Sequence, residues 1–195
     1  MKDEKVRQFL TLAGQQPPAA FTIGTPEQRR LGAQLLLSEV LEYVIHGLGV
    51  TPIVQGVAIT DPNDLKYEAA SEPDELEMLD GLADVAYTMF WNSSAFGLPL
   101  REAYELVCDN NLEKFVALTD WAGETGPLPN EAWHCEREVE WPQEVVSVEV
   151  LLIADTYFAV GKDASGKVRK PAHYRPVDLS HLLSAMPEQK KVANS

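Results

Sequence analysis

The most constraining feature of this sequence is a long helical pattern that carries acids inside its most apolar stretch. From Ser71 to about Phe96, Leu76, Leu79, Leu82, Ala83, Ala86, Tyr87 and Phe90 recur at helical spacing, and Pro73 stands where a helix starts. Glu77, Asp80 and Asp84 follow i, i+3, i+7, which sets them on one face of that helix. Asp84 lies within LADVAYTMFW, where a carboxylate is costly unless it is paired or bound to a cation.

A second helix repeats the arrangement. Thr25 is its N-cap and Pro26 its first residue, and it runs to about Gly47 through Leu31, Leu35, Leu36, Val40, Tyr43 and Val44. Glu39 and Glu42 are one turn apart beside this apolar stripe. Like charges this close repel, and burial disfavours their ionised forms, unless a cation compensates. Oxygen ligands in this number suit Mg²⁺ or Mn²⁺. Such ions polarise a phosphoryl oxygen and lower the pKa of an attacking water. Glu39 and Glu42 facing Asp80 and Asp84 are therefore the expected metal ligands.

The rest of the chain frames these helices. Further helices are expected over 3–13 and 100–118, with a loop or small ribbon over 48–72 and irregular chain over 119–143. VVSVEVLLIA and TYFAVG predict a β-hairpin turning near Asp155. A basic, turn-rich loop follows over 161–176, then a short final helix capped by Asp178 and a frayed tail, PEQKKVANS. The expected fold class is mainly α, a helical bundle with a small C-terminal β-hairpin and loop-rich insertions.

Composition sets outer limits. The 195 residues are 45% hydrophobic and 24% charged, as in a globular domain. No apolar run is long enough to cross a membrane and the start lacks a signal-peptide core, so a cytoplasmic protein with no membrane partner is expected. Cys108 and Cys135 are too few for a disulfide framework. A net charge of −14 argues against duplex nucleic acid, whose phosphates would be repelled. Against this background the cations of GKDASGKVRKPAHYR, namely Lys162, Lys167, Arg169, Lys170 and Arg175, suggest neutralisation of a phosphate-bearing ligand. Trp121, Trp133 and Trp141 are read as packing residues and Cys108 as a small core residue, with no role assigned to His173.

The blocks SEVLE (38–42), DGLADVAYTMF (80–90), NNLEK (110–114), VRQF near the start and GKVRKPAHYRPVDL (166–179) occur in an order that resembles the all-α nucleoside triphosphate pyrophosphohydrolases of the MazG and phosphoribosyl-ATP pyrophosphohydrolase-like superfamily. The matching blocks cover about half the chain, and the last looks like the ending of a phage and bacterial branch. The resemblance implies one MazG-like domain over 1–195, with a helical core over about 1–118 and an extension over about 119–195. It implies attack of water between the α- and β-phosphates, giving a nucleoside monophosphate and pyrophosphate, in a homodimer or homotetramer. Carried over, Glu39, Glu42, Asp80 and Asp84 hold Mg²⁺ or Mn²⁺, Glu39 and Glu42 serve catalysis, and Asn111, Lys114, Lys170 and Tyr174 bind substrate. Two positions depart from the pattern: Ser38 replaces the first glutamate, and Gly81 stands where an acid is common. The long segments 49–72 and 118–160 also exceed compact members. Rival readings are a dGTP- or GTP-specific diphosphatase feeding modified-purine synthesis, a degenerate bundle that binds nucleotide or a partner, and an acidic DNA mimic.

Overall fold

A computed structural model describes residues 3–135, 139–153 and 155–184; the tail PEQKKVANS lies outside them. The chain divides into two compact units, Pro18–Asp84 and Met1–Pro17 with Val85–Ser195.

In the first unit, Thr25 caps helix α2 (Pro26–Glu42) as expected, and Gln28 completes the cap reciprocally. The Thr25 hydroxyl accepts from the Gln28 amide while the Gln28 side chain accepts from the Thr25 amide. Beyond Glu42 the helix widens into a π-helical turn, Tyr43–Gly47, closed by the Leu48 amide donating to the Tyr43 carbonyl. A side chain at Gly47 would meet the Tyr43 ring at 3.1 Å, which accounts for the glycine. The segment after it holds a small ribbon, β1 (Ile53–Val54) against β2 (Val57–Ala58), turned by Gln55 and Gly56 at positive φ. Helix α3 (Glu75–Phe96) starts at Asp74, whose carboxylate accepts from the Leu76 and Glu77 amides. The division between the units falls within this helix.

The other unit begins with α1 (Glu4–Leu12) and resumes after α3 with α4 (Leu100–Leu112). Its centre is an antiparallel sheet: β3 (Val116–Leu118), β4 (Gly126–Pro127), β5 (Val145–Ile153), β6 (Thr156–Asp163) and β7 (Val168–Arg169). The strand order is β3-β6-β5-β4, and β7 also pairs with β6. The expected hairpin is present as β5 and β6, with Asp155 at positive φ in its turn. The mainly α fold class is nevertheless overturned. Among the described residues 42% are helical and 16% lie in strands, so the structure mixes α and β and includes this five-stranded sheet.

The physical reason lies in β5 and β6, which carry apolar residues on both faces and are covered on each. On one face Phe158, Val160, Leu151 and Ile153 pack with Leu12 and Ala13 at the end of α1, Phe115 and Val168. On the other, Val148, Val150 and Ala159 pack with Leu118, Trp121, Trp133 and Trp141. Each tryptophan also places its indole N–H on a backbone carbonyl, of Glu124, Leu128 and Trp133 respectively. The three tryptophans are thus structural, as the sequence suggested. Chain beyond Leu112, expected to stay helical to 118, instead supplies β3. The loop expected over 161–176 likewise gives its start to β6 and Val168–Arg169 to β7. A short helix α5 (Ser180–Ser184) follows Asp178, whose carboxylate accepts from the Ser180 amide.

Candidate functional site

All four proposed metal ligands belong to the unit Pro18–Asp84. Glu39 and Glu42 lie one turn apart at the C-terminal end of α2, and Asp80 and Asp84 one turn apart on α3. All four are exposed. The burial argued for them from their apolar neighbours is not found within one chain, because those neighbours are themselves uncovered. Leu35, Leu36 and Val40 are about two-fifths exposed, and Leu76, Leu79 and Leu82 are 72%, 70% and 60% exposed. α3 buries no residue at all. α2 and the part of α3 in the same unit do not pack along their lengths. Among the described residues no three His, Cys, Asp or Glu side chains converge as a metal would require. A single chain therefore offers two carboxylate pairs rather than one four-carboxylate cage. Oxygen donors one turn apart still fit a hard divalent ion that keeps most of its waters.

The two residues that break the expected acid pattern, Ser38 and Gly81, have different surroundings. Ser38 is buried, and its hydroxyl donates to the Leu35 carbonyl at 3.3 Å. A glutamate in that place would have to lose its hydration. Gly81 faces open space, with nothing within 4 Å of an added Cβ.

The four expected substrate residues lie in the other unit, and they separate into two places near the C-terminal end of α4. Asn111 and Lys114 line a cleft of about 160 Å³ with Lys5, Val6, Phe9 and Cys108. The Lys114 ammonium sits 5.4 Å from the centre of the Phe9 ring. Lys5 bridges Asp109 at 2.6 Å and Glu105 at 3.1 Å, and these hydrogen bonds, Asp109 first, raise its pKa. Tyr104 is pushed up to about 12, chiefly by its hydrogen bond with Cys108.

Tyr174 lines a separate cleft of about 450 Å³ with Glu113, Phe115, Val116, Ala117, His173 and Arg175. Its partner on α4 is Asn110, one residue from the asparagine singled out in the sequence. The Tyr174 hydroxyl donates to the Asn110 side-chain oxygen, and the Asn110 amide donates to the Arg175 carbonyl at 2.9 Å. Lys170 stacks its ammonium 4.2 Å above the Tyr174 ring. Asn110, Glu113 and Lys5 were not chosen from sequence, and Arg175 was named there only among the cations of the basic segment. Only the doubled asparagine of NNLEK hinted at the first, and helical phase decides which of the two meets the loop.

Other cations of the basic segment are committed elsewhere. Lys162 pairs with Glu149, its diagonal neighbour across β5 and β6. Arg169 pairs with Asp163 at 2.7 Å. Burial raises the Asp163 pKa, but Ser165, the amides of Lys167 and Ser165, and Arg169 together outweigh it and hold the carboxyl below its usual value.

No family model, curated protein or solved structure matches the chain. No helix among the described residues is long and apolar enough to cross a membrane.

Proposed function

We propose that the protein is a metal-dependent nucleoside triphosphate diphosphatase that converts (d)NTP to (d)NMP and pyrophosphate. The observation that carries this reading is the pairing of carboxylates at one-turn spacing on two helices whose apolar residues are left uncovered. Glu39 and Glu42 stand beside exposed Val40 and Leu36, and Asp80 and Asp84 beside Leu79 and Leu82. Covering those leucines removes water from around the acids, and the acids then need a cation. The covering surface is another copy of the chain, in a dimer or tetramer. Burying Leu76, Leu79 and Leu82 from their present exposure is worth about 3–6 kcal/mol per chain at ~1.5–3 kcal/mol for a whole side chain.

In that assembly Glu39, Glu42, Asp80 and Asp84 hold Mg²⁺ or Mn²⁺, which supplies Lewis acidity and lowers the pKa of water. Glu39 assists as the proton acceptor. Asn111 and Lys114 at one cleft, and Lys170 and Tyr174 at the other, are the residues the family resemblance gives to substrate binding. Cys108 and Cys135 are not disulfide-bonded, which suits a reducing cytoplasmic setting. A preference for dGTP or GTP is a narrower form of the same reading, and turnover across the eight common NTPs and dNTPs tests it.

The decisive assay is product identity with Mn²⁺ present. Pyrophosphate and a nucleoside monophosphate are expected, with activity lost in Glu42→Gln and Asp84→Asn. Release of single orthophosphates, or full activity in both variants, overturns the assignment. The second reading, a nucleotide- or partner-binding protein without catalysis, draws on the lack of a converged carboxylate group among the described residues. Nucleotide binding with no Mn²⁺-supported turnover would select it.

A further inference from the structure

We infer that the first half of α1, residues 4–8, is a hinged flap held over the cleft at Cys108, Asn111 and Lys114 by the Lys5 ammonium, and that salt opens it. The two halves of α1 are held in different ways. Leu12 and Ala13 are buried with Phe115, Val160 and Val168, and the Phe9 ring meets Phe115 edge-on at a centroid distance of 5.1 Å. From Glu4 to Gln8 only Lys5 is partly covered, and Val6 is 42% exposed. Lys5 ties this half to α4 by bridging Asp109 at 2.6 Å and Glu105 at 3.1 Å. The pair of Arg7 with Asp3 stays within the helix end, and the Asp3 side chain gives that end no capping hydrogen bond.

The side chains of these two ion pairs are between 34% and 59% exposed. Buried apolar side chains hold a helix far more strongly than ion pairs at that exposure. Opening is therefore stepwise: residues 4–8 lift while Phe9 to Ala13 stay in the core, a local opening well below the cost of global unfolding. Lys5 and Val6 form one side of the cleft of about 160 Å³, and Cys108, Asn111 and Lys114 the other. Cys108 is buried although Val107 and Asp109 beside it on α4 are exposed. Lifting the flap bares the thiol and opens the approach to Asn111 and Lys114. Salt screens exposed charges, so ionic strength sets the open fraction. That substrate is what gains entry rests on the diphosphatase reading; the flap itself does not.

The test is amide hydrogen exchange of the full-length protein, read residue by residue by NMR at about 20 mM and about 0.5 M NaCl. Exchange at Arg7 and Gln8 should quicken about threefold or more in high salt, while Ala13, whose amide donates to the Phe9 carbonyl, stays as slow as before. Lys5→Ala should bring the same quickening at low salt and remove the salt response. The Glu105→Gln, Asp109→Asn double variant should reproduce it, and Lys5→Arg should behave as the parent. A second readout is the rate at which N-ethylmaleimide, an uncharged probe, modifies Cys108 in a Cys135→Ser background. Referred to the fully ionised thiol, that rate should rise with the exchange at Arg7 and Gln8. Unchanged exchange there in Lys5→Ala overturns the inference, as does equal quickening at Ala13, which would mean that α1 leaves as one piece. A Cys108 rate indifferent to Lys5→Ala overturns it too. Neither readout uses a nucleotide, so a protein without diphosphatase activity still decides the flap.

Discussion

Gly161 is buried in β6, and a Cβ built on it would lie 2.5 Å from Cε3 and 2.6 Å from Cζ3 of Trp141. The indole cannot simply swing away, because its N–H donates to the Trp133 carbonyl at 3.0 Å and its ring packs with Val148, Val150 and Ala159. Gly161→Ala therefore forces overpacking, at about 1–3 kcal/mol. Restricting the unfolded chain returns about 0.4–1 kcal/mol. The net expectation is a loss of about 1–2 kcal/mol, or a Tm lower by about 2–8 °C for a chain of this size. Urea denaturation followed by far-ultraviolet circular dichroism measures it, since tryptophan fluorescence would itself change. The cause is isolated by a double-mutant cycle. In a Trp141→Leu background, which removes the offending ring atoms, Gly161→Ala should cost nothing or stabilise. Equal losses in both backgrounds would refute the steric argument, as would an unchanged parent.

Gly81 lies mid-helix in α3 with open space around it, so Gly81→Ala should stabilise by about 1 kcal/mol, seen as a higher urea midpoint. Asp163→Asn should destabilise by about 1–2 kcal/mol at neutral pH, through the weakened bond to Arg169 and a looser turn. Because the folded pKa of Asp163 lies below the usual 3.8, its stabilisation is full above that value and is lost as pH falls through the folded pKa. The gap between parent and variant should thus be constant from neutral pH to about pH 5 and close under stronger acid; a constant gap down to pH 2 contradicts the assignment. Leu79→Asp combined with Leu82→Asp should leave a monomer by light scattering if α3 is covered by another copy, and an unchanged mass would exclude that surface.

The helical caps and stops were legible because they are local. Thr25-Pro26 and the glycine at 47 act within a turn of their own positions and fall where the sequence placed them, whereas α3 begins at Glu75 behind the Asp74 cap, later than the start expected at Ser71 to Pro73. The sheet was only half legible. VVSVEVLLIA and TYFAVG announced a hairpin, and the apolar residues at both odd and even positions were the available sign that both faces would be covered. Nothing in VAL at 116–118 or VR at 168–169 announced a strand, since runs of two or three residues become strands only when β6 offers an edge. For the site, helical spacing found the carboxylate pairs, but spacing along one helix carries no information on what stands opposite it. The Asn110–Tyr174 latch joins residues 64 apart, a pairing invisible to local pattern.

The end of α1 has a consequence for how the protein is made. Leu12 and Ala13 are buried against Phe115, Val160 and Val168, so the first helix has its core partners roughly 100 to 155 residues later in the chain. During synthesis at about 5–20 residues per second, that helix waits on the order of ten seconds or more for Val160 and Val168 to emerge. Throughout that interval Leu12 lacks the partners that bury it in the folded protein. A ribosome that stalls before β6 releases a chain in which α1 is left without its core as well as the sheet without its central strand.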